Sequence, residues 1–238
     1  MNPTYSKIEI RQGDLTKIEA DAVVNAANTS LVGCGGVDGA IHRAGGHEIL
    51  EDCKRIVARQ GGCKVGKAVI TTAGKLPAKF VIHTVGPVWN NGTRHEEELL
   101  EQCYLNSLKT AVEHGCKTIA FPAISTGVYR FPKDKAARIA VKAVRDFLEA
   151  HEEIEKVILV SFDEENYRRL KAEAEGKHLL QITSFWGYSI KGETGCFSFF
   201  CVKSVFIIFY VLWLHEKSRP SGMARGRFIE RFPTVAKA

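Results

Sequence analysis

No C-x-x-C pair occurs anywhere in this chain, and its seven cysteines (Cys34, Cys53, Cys63, Cys103, Cys116, Cys196 and Cys201) are odd in number. A cysteine zinc site and a closed disulfide framework are therefore both disfavoured, and the cysteines read as reduced thiols of an intracellular protein. Residues 1–10 lack the apolar run of a secretory signal, and no arginine-rich transit segment is visible. Charge of one sign is also scarce where it would matter. The chain carries +6, but residues 178–238 hold eight Lys/Arg against three Asp/Glu, so +5 of that excess lies there and only +1 in the first 177 residues. A near-neutral main domain gives no electrostatic case for nucleic-acid binding. Neither G-x-G-x-x-G nor G-x-x-x-x-G-K-[ST] is present, which removes the ordinary dinucleotide and P-loop readings.

What is present is an average soluble composition, 45% hydrophobic and 25% charged over 238 residues. That length suits one domain plus an appendage. Residues 21–46 organise it. A short apolar run (Ala22, Val23, Val24) suits a buried strand. Asn25 and Asn28 follow, then a glycine-rich loop (Gly33, Gly35, Gly36), then a helix expected from Val37 with Asp38 and His42 one turn apart. Strand, glycine loop and helix start form an arrangement that cradles phosphates: glycine lets backbone N–H groups approach an anion, and the helix start adds partial positive charge. Singly, each residue suits a turn or a cap. Together, two amides, a carboxylate and an imidazole within eighteen positions exceed what a turn needs.

Along the chain, strands are expected at residues 7–12, 21–27, 68–72, 80–85, 118–122 and 156–162. Helices are expected from Val37 and over 47–60, 96–114, 133–151 and 163–175, the last capped by Asp163. The acidic triplet Glu96, Glu97 and Glu98 sits where a helix dipole favours negative charge. His83 reads as a satisfied histidine at a strand end. The alternation argues an α/β fold, a largely parallel sheet covered on both faces, with ligand loops at the carboxyl ends of strands. Ser125-Thr126-Gly127-Val128-Tyr129 is a second small-residue loop leaving a strand, and Tyr129 adds a flat apolar face with a hydroxyl. Alone it is a turn with a packed aromatic; paired with the first loop it suggests a two-sided grip on a diphosphate.

Residues 25–46, with Gly13-Asp14-Leu15-Thr16 upstream and residues 125–129 downstream, resemble a macrodomain, nearest to the MacroD-type branch that hydrolyses ADP-ribose adducts. The resemblance covers residues 1–176 and implies a three-layer α/β/α sandwich over residues 1–177. It implies that Asp14 accepts a hydrogen bond from the adenine amino group, with Leu15 beside it. Gly35, Gly36, Val37, Ser125, Thr126, Gly127 and Val128 then hold the phosphates, and Tyr129 orients the distal ribose. Asn28 serves that ribose as donor and acceptor, and Asp38 is the catalytic aspartate. His42 orients loop or ligand, and Asn25 braces the loop through backbone hydrogen bonds. No metal or cofactor is required. The implied reaction is hydrolysis of esters to the distal ribose, on mono-ADP-ribosylated acidic side chains of proteins and on O-acetyl-ADP-ribose. The implied setting is a monomer of the cytoplasm or nucleus, in purine nucleoside metabolism and the DNA damage response. Two rivals stay open: a reader that binds ADP-ribose without cleaving it, and a phosphatase for ADP-ribose phosphates. Cys34 departs from the pattern, standing where the family usually has glycine.

The resemblance stops before residues 178–238. Residues 196–214 are nineteen mostly aromatic and β-branched positions with one charge, Lys203, followed by a basic flank. The length suits a membrane span. A central lysine costs about 2.5–3.5 kcal/mol on insertion scales. The competing reading, a disordered or aberrant carboxy-terminal extension, is slightly favoured.

Overall fold

A computed structural model describes residues 7–33 and 35–176. Cys34 and the 178–238 appendage, with its candidate membrane segment, lie outside the described residues. Among the described residues no helix is long and apolar enough to cross a membrane.

Six strands form one sheet: β1 (Ile8–Gln12), β2 (Ala20–Ala26), β3 (Ala68–Thr72), β4 (Ala78–Thr84), β5 (Thr118–Pro122) and β6 (Lys156–Ser161). The spatial order is β1-β6-β5-β2-β4-β3. Every pairing is parallel except β3 with β4 at one edge. Five helices cover it: α1 (Gly36–Gly45), α2 (His47–Gln60), α3 (Glu96–Glu113), α4 (Lys133–Ala150) and α5 (Glu164–Ala174).

Strand alternation divides the core into two layers. Ala22, Val24, Ile82, Ile119, Phe121, Val157 and Leu159 face a cluster completed by α3, α4 and α5 through Leu100, Tyr104, Leu108, Val144, Phe147 and Leu170. Their neighbours Val23, Val81, Ala120, Ile158 and Val160 face a second cluster with Ile41 of α1 and Ile49, Cys53 and Ile56 of α2. This is the three-layer sandwich, and it explains why the central strands read as continuous apolar runs: both faces are covered.

Local chemistry sets the element ends. Gly61, in the left-handed conformation, closes α2, its N–H bonding the Val57 carbonyl. Asp163 caps α5, its side chain accepting from Asn166 N. Two expectations need correction. Glu96 does more than offset the helix dipole: buried, it turns back to accept from Asn90 N at 2.7 Å and Arg94 N at 2.6 Å, tying down the loop before α3. Phe162 is not part of the last strand, which stops at Ser161; its side chain is 86% exposed.

Candidate functional site along the carboxyl edge of the sheet

Four strands, β1, β6, β5 and β2, lie side by side and parallel. Their carboxyl ends therefore share one edge, and the loops leaving them line up in that order. Asp14 follows β1, Phe162 follows β6, residues 125–129 follow β5, and Asn28 to Asp38 follow β2. The two loops that the sequence pairs thus leave neighbouring strands.

In the loop after β2, Asn28 Oδ1 accepts from Ser30 N (3.1 Å), Ser30 Oγ (2.7 Å) and Leu31 N (2.9 Å). Its carbonyl is thereby consumed in holding the turn, so the residue offers a ligand the donor hydrogens of Nδ2 and not the expected donor-acceptor pair. Leu31 is buried with φ 58°, a left-handed residue held by this turn. Gly35 is the N-cap of α1 and makes no side-chain cap bond. Gly35 and Gly36 are exposed, with open space where a Cβ would stand, so backbone donors at the start of α1 are accessible to an anion. Val37 instead packs its side chain on the core.

Asp38 lies beneath this loop and is only 1% exposed. Asn25 Nδ2 donates to its Oδ1 at 2.7 Å and to His83 Nδ1 at 3.0 Å. Because His83 Nδ1 accepts, the ring proton sits on Nε2 and points at Thr71 Oγ1, 2.9 Å away, which itself donates to the Thr72 carbonyl. A buried polar chain, Asp38–Asn25–His83–Thr71, thus runs from the loop to β3. Asn25 braces the site through this side-chain chain and not through backbone hydrogen bonds, and being fully buried it lies below any ligand surface. His42 Nε2 stands 3.4 Å from Asp38 Oδ1, so His42 faces the aspartate.

Burial pushes the His83 imidazolium down to about 4; His42 adds to this, while Asp38 and Asp52 oppose it. The folded value lies below the ordinary 6.5, so between pH 6.5 and 4 the unfolded chain binds a proton that the folded chain refuses. Stability from this group is fully present above pH 6.5 and is lost as pH falls through that window. Chemical denaturation of wild type beside His83→Gln at pH 7.5 and pH 5 checks this. The wild-type advantage is expected to shrink by about 2 kcal/mol on acidification.

In the loop after β5, Ser125 has φ 64°, and its carbonyl accepts from Phe131 N at 3.0 Å. Thr126 Oγ1 donates to the Ala123 carbonyl (2.9 Å) and accepts from Asn166 Nδ2 (3.1 Å). The Thr126 hydroxyl is therefore occupied in shaping the turn, leaving main-chain groups and exposed Gly127 for a ligand. Val128 is 90% exposed. Tyr129 is half-buried, and its carbonyl accepts from Trp89 N at 2.9 Å.

At the far end, Asp14 Oδ1 accepts from Thr16 N (2.9 Å) and Thr16 Oγ1 (2.8 Å), and these bonds hold its carboxyl below the usual carboxylate range. It is an ionised, acceptor-only group at ordinary pH. The Leu15 side chain is buried in the core, so only its main chain can meet a ligand. Gly13 N bonds the Ser161 carbonyl at 3.0 Å, so Asp14 and Phe162, far apart in sequence, each directly follow one member of this bonded pair.

A family model described as Macro domain matches residues 24–140. An O-acetyl-ADP-ribose deacetylase of Escherichia fergusonii is 58% identical over 163 residues, 68% of this chain and 92% of that protein. The chain belongs to the macro domain family. Among solved structures, the Oceanobacillus iheyensis macrodomain with ADP is 40% identical with a TM-score of 0.67, covering 74% of this chain and 92% of that one. The Trypanosoma brucei macrodomain in complex with ADP-ribose is 39% identical with a TM-score of 0.64, covering 69% and 68%.

In this macrodomain the sheet topology brings the sequence-predicted residues to one edge, but at two depths. Asn28, Gly35, Gly36, residues 126–129 and Asp14 line the surface; Asp38, Asn25, Ser125 and the side chain of Leu15 lie beneath it. Sequence reasoning missed Phe162 by placing it in a strand. Its signal was a large aromatic immediately before the capping residue Asp163, where a strand must already have ended. It also missed Thr71 and Cys53, which join His83 under the site from β3 and α2. Nothing local in the sequence marks them.

Proposed function

We propose that this macrodomain hydrolyses esters to the distal ribose of ADP-ribose: the acetyl ester of O-acetyl-ADP-ribose, and the carboxylate esters that join mono-ADP-ribose to acidic side chains of proteins. The observation that carries this reading is the order of chemistries along the carboxyl edge. A carboxylate and an exposed aromatic stand at β1 and β6, two anion-accepting loops at β5 and β2, and an amide with a buried carboxylate beyond β2. Strand spacing makes the distance from β1 to β2 about 14 Å. An extended nucleoside diphosphate sugar, with a purine, a diphosphate and a terminal ribose, matches that order and scale. Structures of the Oceanobacillus protein include variants with asparagine changed to alanine, glycine to valine and aspartate to alanine. Those positions are spaced seven and three apart, as Asn28, Gly35 and Asp38 are.

At the purine end, Asp14 accepts from the exocyclic amine and the ring stacks on Phe162. In the centre, the first turn of α1 and the main chain of 125–128 take the diphosphate. At the ribose end, Asn28 Nδ2 donates to a hydroxyl. Water adds its oxygen to the acyl carbon, the ribose oxygen leaves with a proton, and the products are the free acid and ADP-ribose. With Oδ1 committed to Asn25, Asp38 works from below, holding a ribose hydroxyl or the attacking water; burial favours this holding role over that of a freely exposed base. The protein-adduct activity rests on the same ester chemistry.

Calorimetric titration with ADP-ribose, ADP and AMP tests the binding half. Affinity is expected to rise in the order AMP, ADP, ADP-ribose. Phe162→Ala is expected to weaken all three by about 5–100-fold, the loss of one base-aromatic stack, with no change in melting temperature. Equal affinity for the three nucleotides, or an indifferent Phe162→Ala, would contradict the arrangement.

A further inference from the structure

Below the proposed ester site lies a group of side chains that the reaction does not use. His42, Cys53 and His83 each bring one ligand-type atom to within 4.8 Å of the others. Cys53 Sγ is already 3.8 Å from His83 Nε2. His42 Nε2 is enclosed without a hydrogen-bond partner and faces Asp38 Oδ1 at 3.4 Å. A second buried atom beside them, Asn25 Oδ1, also lacks a hydrogen-bond partner.

We propose that this cluster is a binding site for a borderline-soft divalent cation of the zinc type, held by His42 Nε2, Cys53 Sγ, His83 Nε2 and Asp38. Two imidazoles, a thiolate and a carboxylate are a donor set that such a cation takes in tetrahedral geometry, and one that hard cations do not seek. Ligand atoms sharing a tetrahedral zinc lie about 3.5 Å apart, given bonds of about 2.0–2.3 Å. The atoms of His42, Cys53 and His83, now within 4.8 Å of one another, therefore need to close by about 1 Å, within the reach of rotamer adjustment, and Asp38, 3.4 Å from His42, turns in as the fourth ligand. Charge also balances: thiolate and carboxylate together neutralise a divalent ion, and the thiol proton leaves to solvent as the cation enters.

The surroundings supply what a metal-bound imidazole needs. A His83 ring bound through Nε2 carries its proton on Nδ1 and requires an acceptor there. Rotation of the Asn25 amide turns its now unpartnered Oδ1 to that position. Thr71 loses only the hydrogen bond it accepts and keeps the one it donates to the Thr72 carbonyl. Binding thus draws Asp38 away from Asn25 and onto the ion. On the ester-hydrolysis reading, that removes Asp38 from the ribose, so the cation is an inhibitor seated beneath the substrate and not a cofactor.

The test is Co²⁺ titration of the full-length protein under reducing conditions, followed by absorption, then displacement by Zn²⁺. Intense tetrahedral d–d bands with a thiolate charge-transfer band are expected, bleached by one equivalent of Zn²⁺. Cys53→Ser and His42→Ala should each lose that equivalent, while Cys63→Ser and Cys116→Ser keep it. Melting curves in EDTA establish that each variant is folded, so a variant that fails to fold is replaced by its partner in the pair. Inhibition is read separately: Zn²⁺ should lower wild-type ester turnover, with an inhibition constant at least tenfold weaker in Cys53→Ser relative to that variant's own rate. Absent tetrahedral bands in wild type, or bands unchanged in both Cys53→Ser and His42→Ala, overturn the site. If the bands behave as expected but no ester turnover exists to inhibit, the cation site stands and the ester reading fails.

Discussion

Asp38→Ala is expected to lower turnover of O-acetyl-ADP-ribose by about 10²–10⁴-fold, the range for removing a positioned proton-handling group, while ADP-ribose affinity changes by less than about tenfold. The separation follows from geometry. The surface features that would grip the ligand, namely Phe162, Asp14, the α1 start and the loop after β5, do not depend on the Asp38 side chain, which is 1% exposed. The same substitution strips Asn25 Nδ2 of its 2.7 Å acceptor in a fully buried position. A stability loss of about 1–3 kcal/mol accompanies the loss of rate. Asp38→Asn separates the two effects: its amide oxygen can still accept from Asn25, so stability recovers while the anionic charge, and with it turnover, does not. Asn28→Ala is expected to lower turnover too. Unchanged rates in Asp38→Ala and Asn28→Ala would remove both residues from the mechanism.

The second large effect is on folding, and adjacent glycines set its control. Gly62 has φ 106°, and a Cβ there would collide with the Thr29 carbonyl oxygen. That carbonyl already accepts from Cys63 N at 3.0 Å, and it belongs to the turn that Asn28 organises. Gly62→Ala therefore combines an unfavourable backbone conformation with a clash against main chain, for an expected cost of about 3 kcal/mol. In a domain of this size that lowers the melting temperature by roughly 6–12 °C. Displacing Thr29 also moves Asn28, so ADP-ribose affinity falls with stability. Gly61 also has positive φ, at 78°, but a Cβ there meets nothing within 4 Å. Gly61→Ala is expected to cost only about 1 kcal/mol, the left-handed penalty alone, and to leave affinity untouched. Equal melting points for the two variants would show that the contact with Thr29 carries no weight.

Much of this molecule was legible before its structure, for identifiable reasons. Strands β2, β4, β5 and β6 are buried on both faces, so their apolar runs stand out, and the carboxyl-edge rule places their loops together. The inward face of α4 follows from 3.6-residue spacing, and Asp163 caps α5 as its position suggests. What the sequence could not convey is depth. Asn25, Asn28 and Asp38 read alike as polar residues near a glycine loop. Only packing sends Asn25 and Asp38 under the surface and leaves Asn28 half-exposed with its carbonyl turned into its own loop. Long-range partners were invisible for a similar reason. His83 looks like an isolated strand-end histidine until β4 sets it beside β2, where Asn25 and His83 are register partners. Phe162 was misplaced because an aromatic two positions beyond four consecutive apolar residues (157–160) continues a strand pattern, and no periodicity reveals where the ladder with β5 stops.

The measurement that bears most directly on ester hydrolysis is incubation of the full-length protein with a glutamate-linked mono-ADP-ribosylated protein, with the released small molecule identified by mass. Free ADP-ribose from wild type, and none from an Asp38→Ala protein that still binds ADP-ribose, is the predicted result. Tight binding with nothing released, or release of inorganic phosphate from an ADP-ribose phosphate instead, would contradict it and make the protein a reader or a phosphatase.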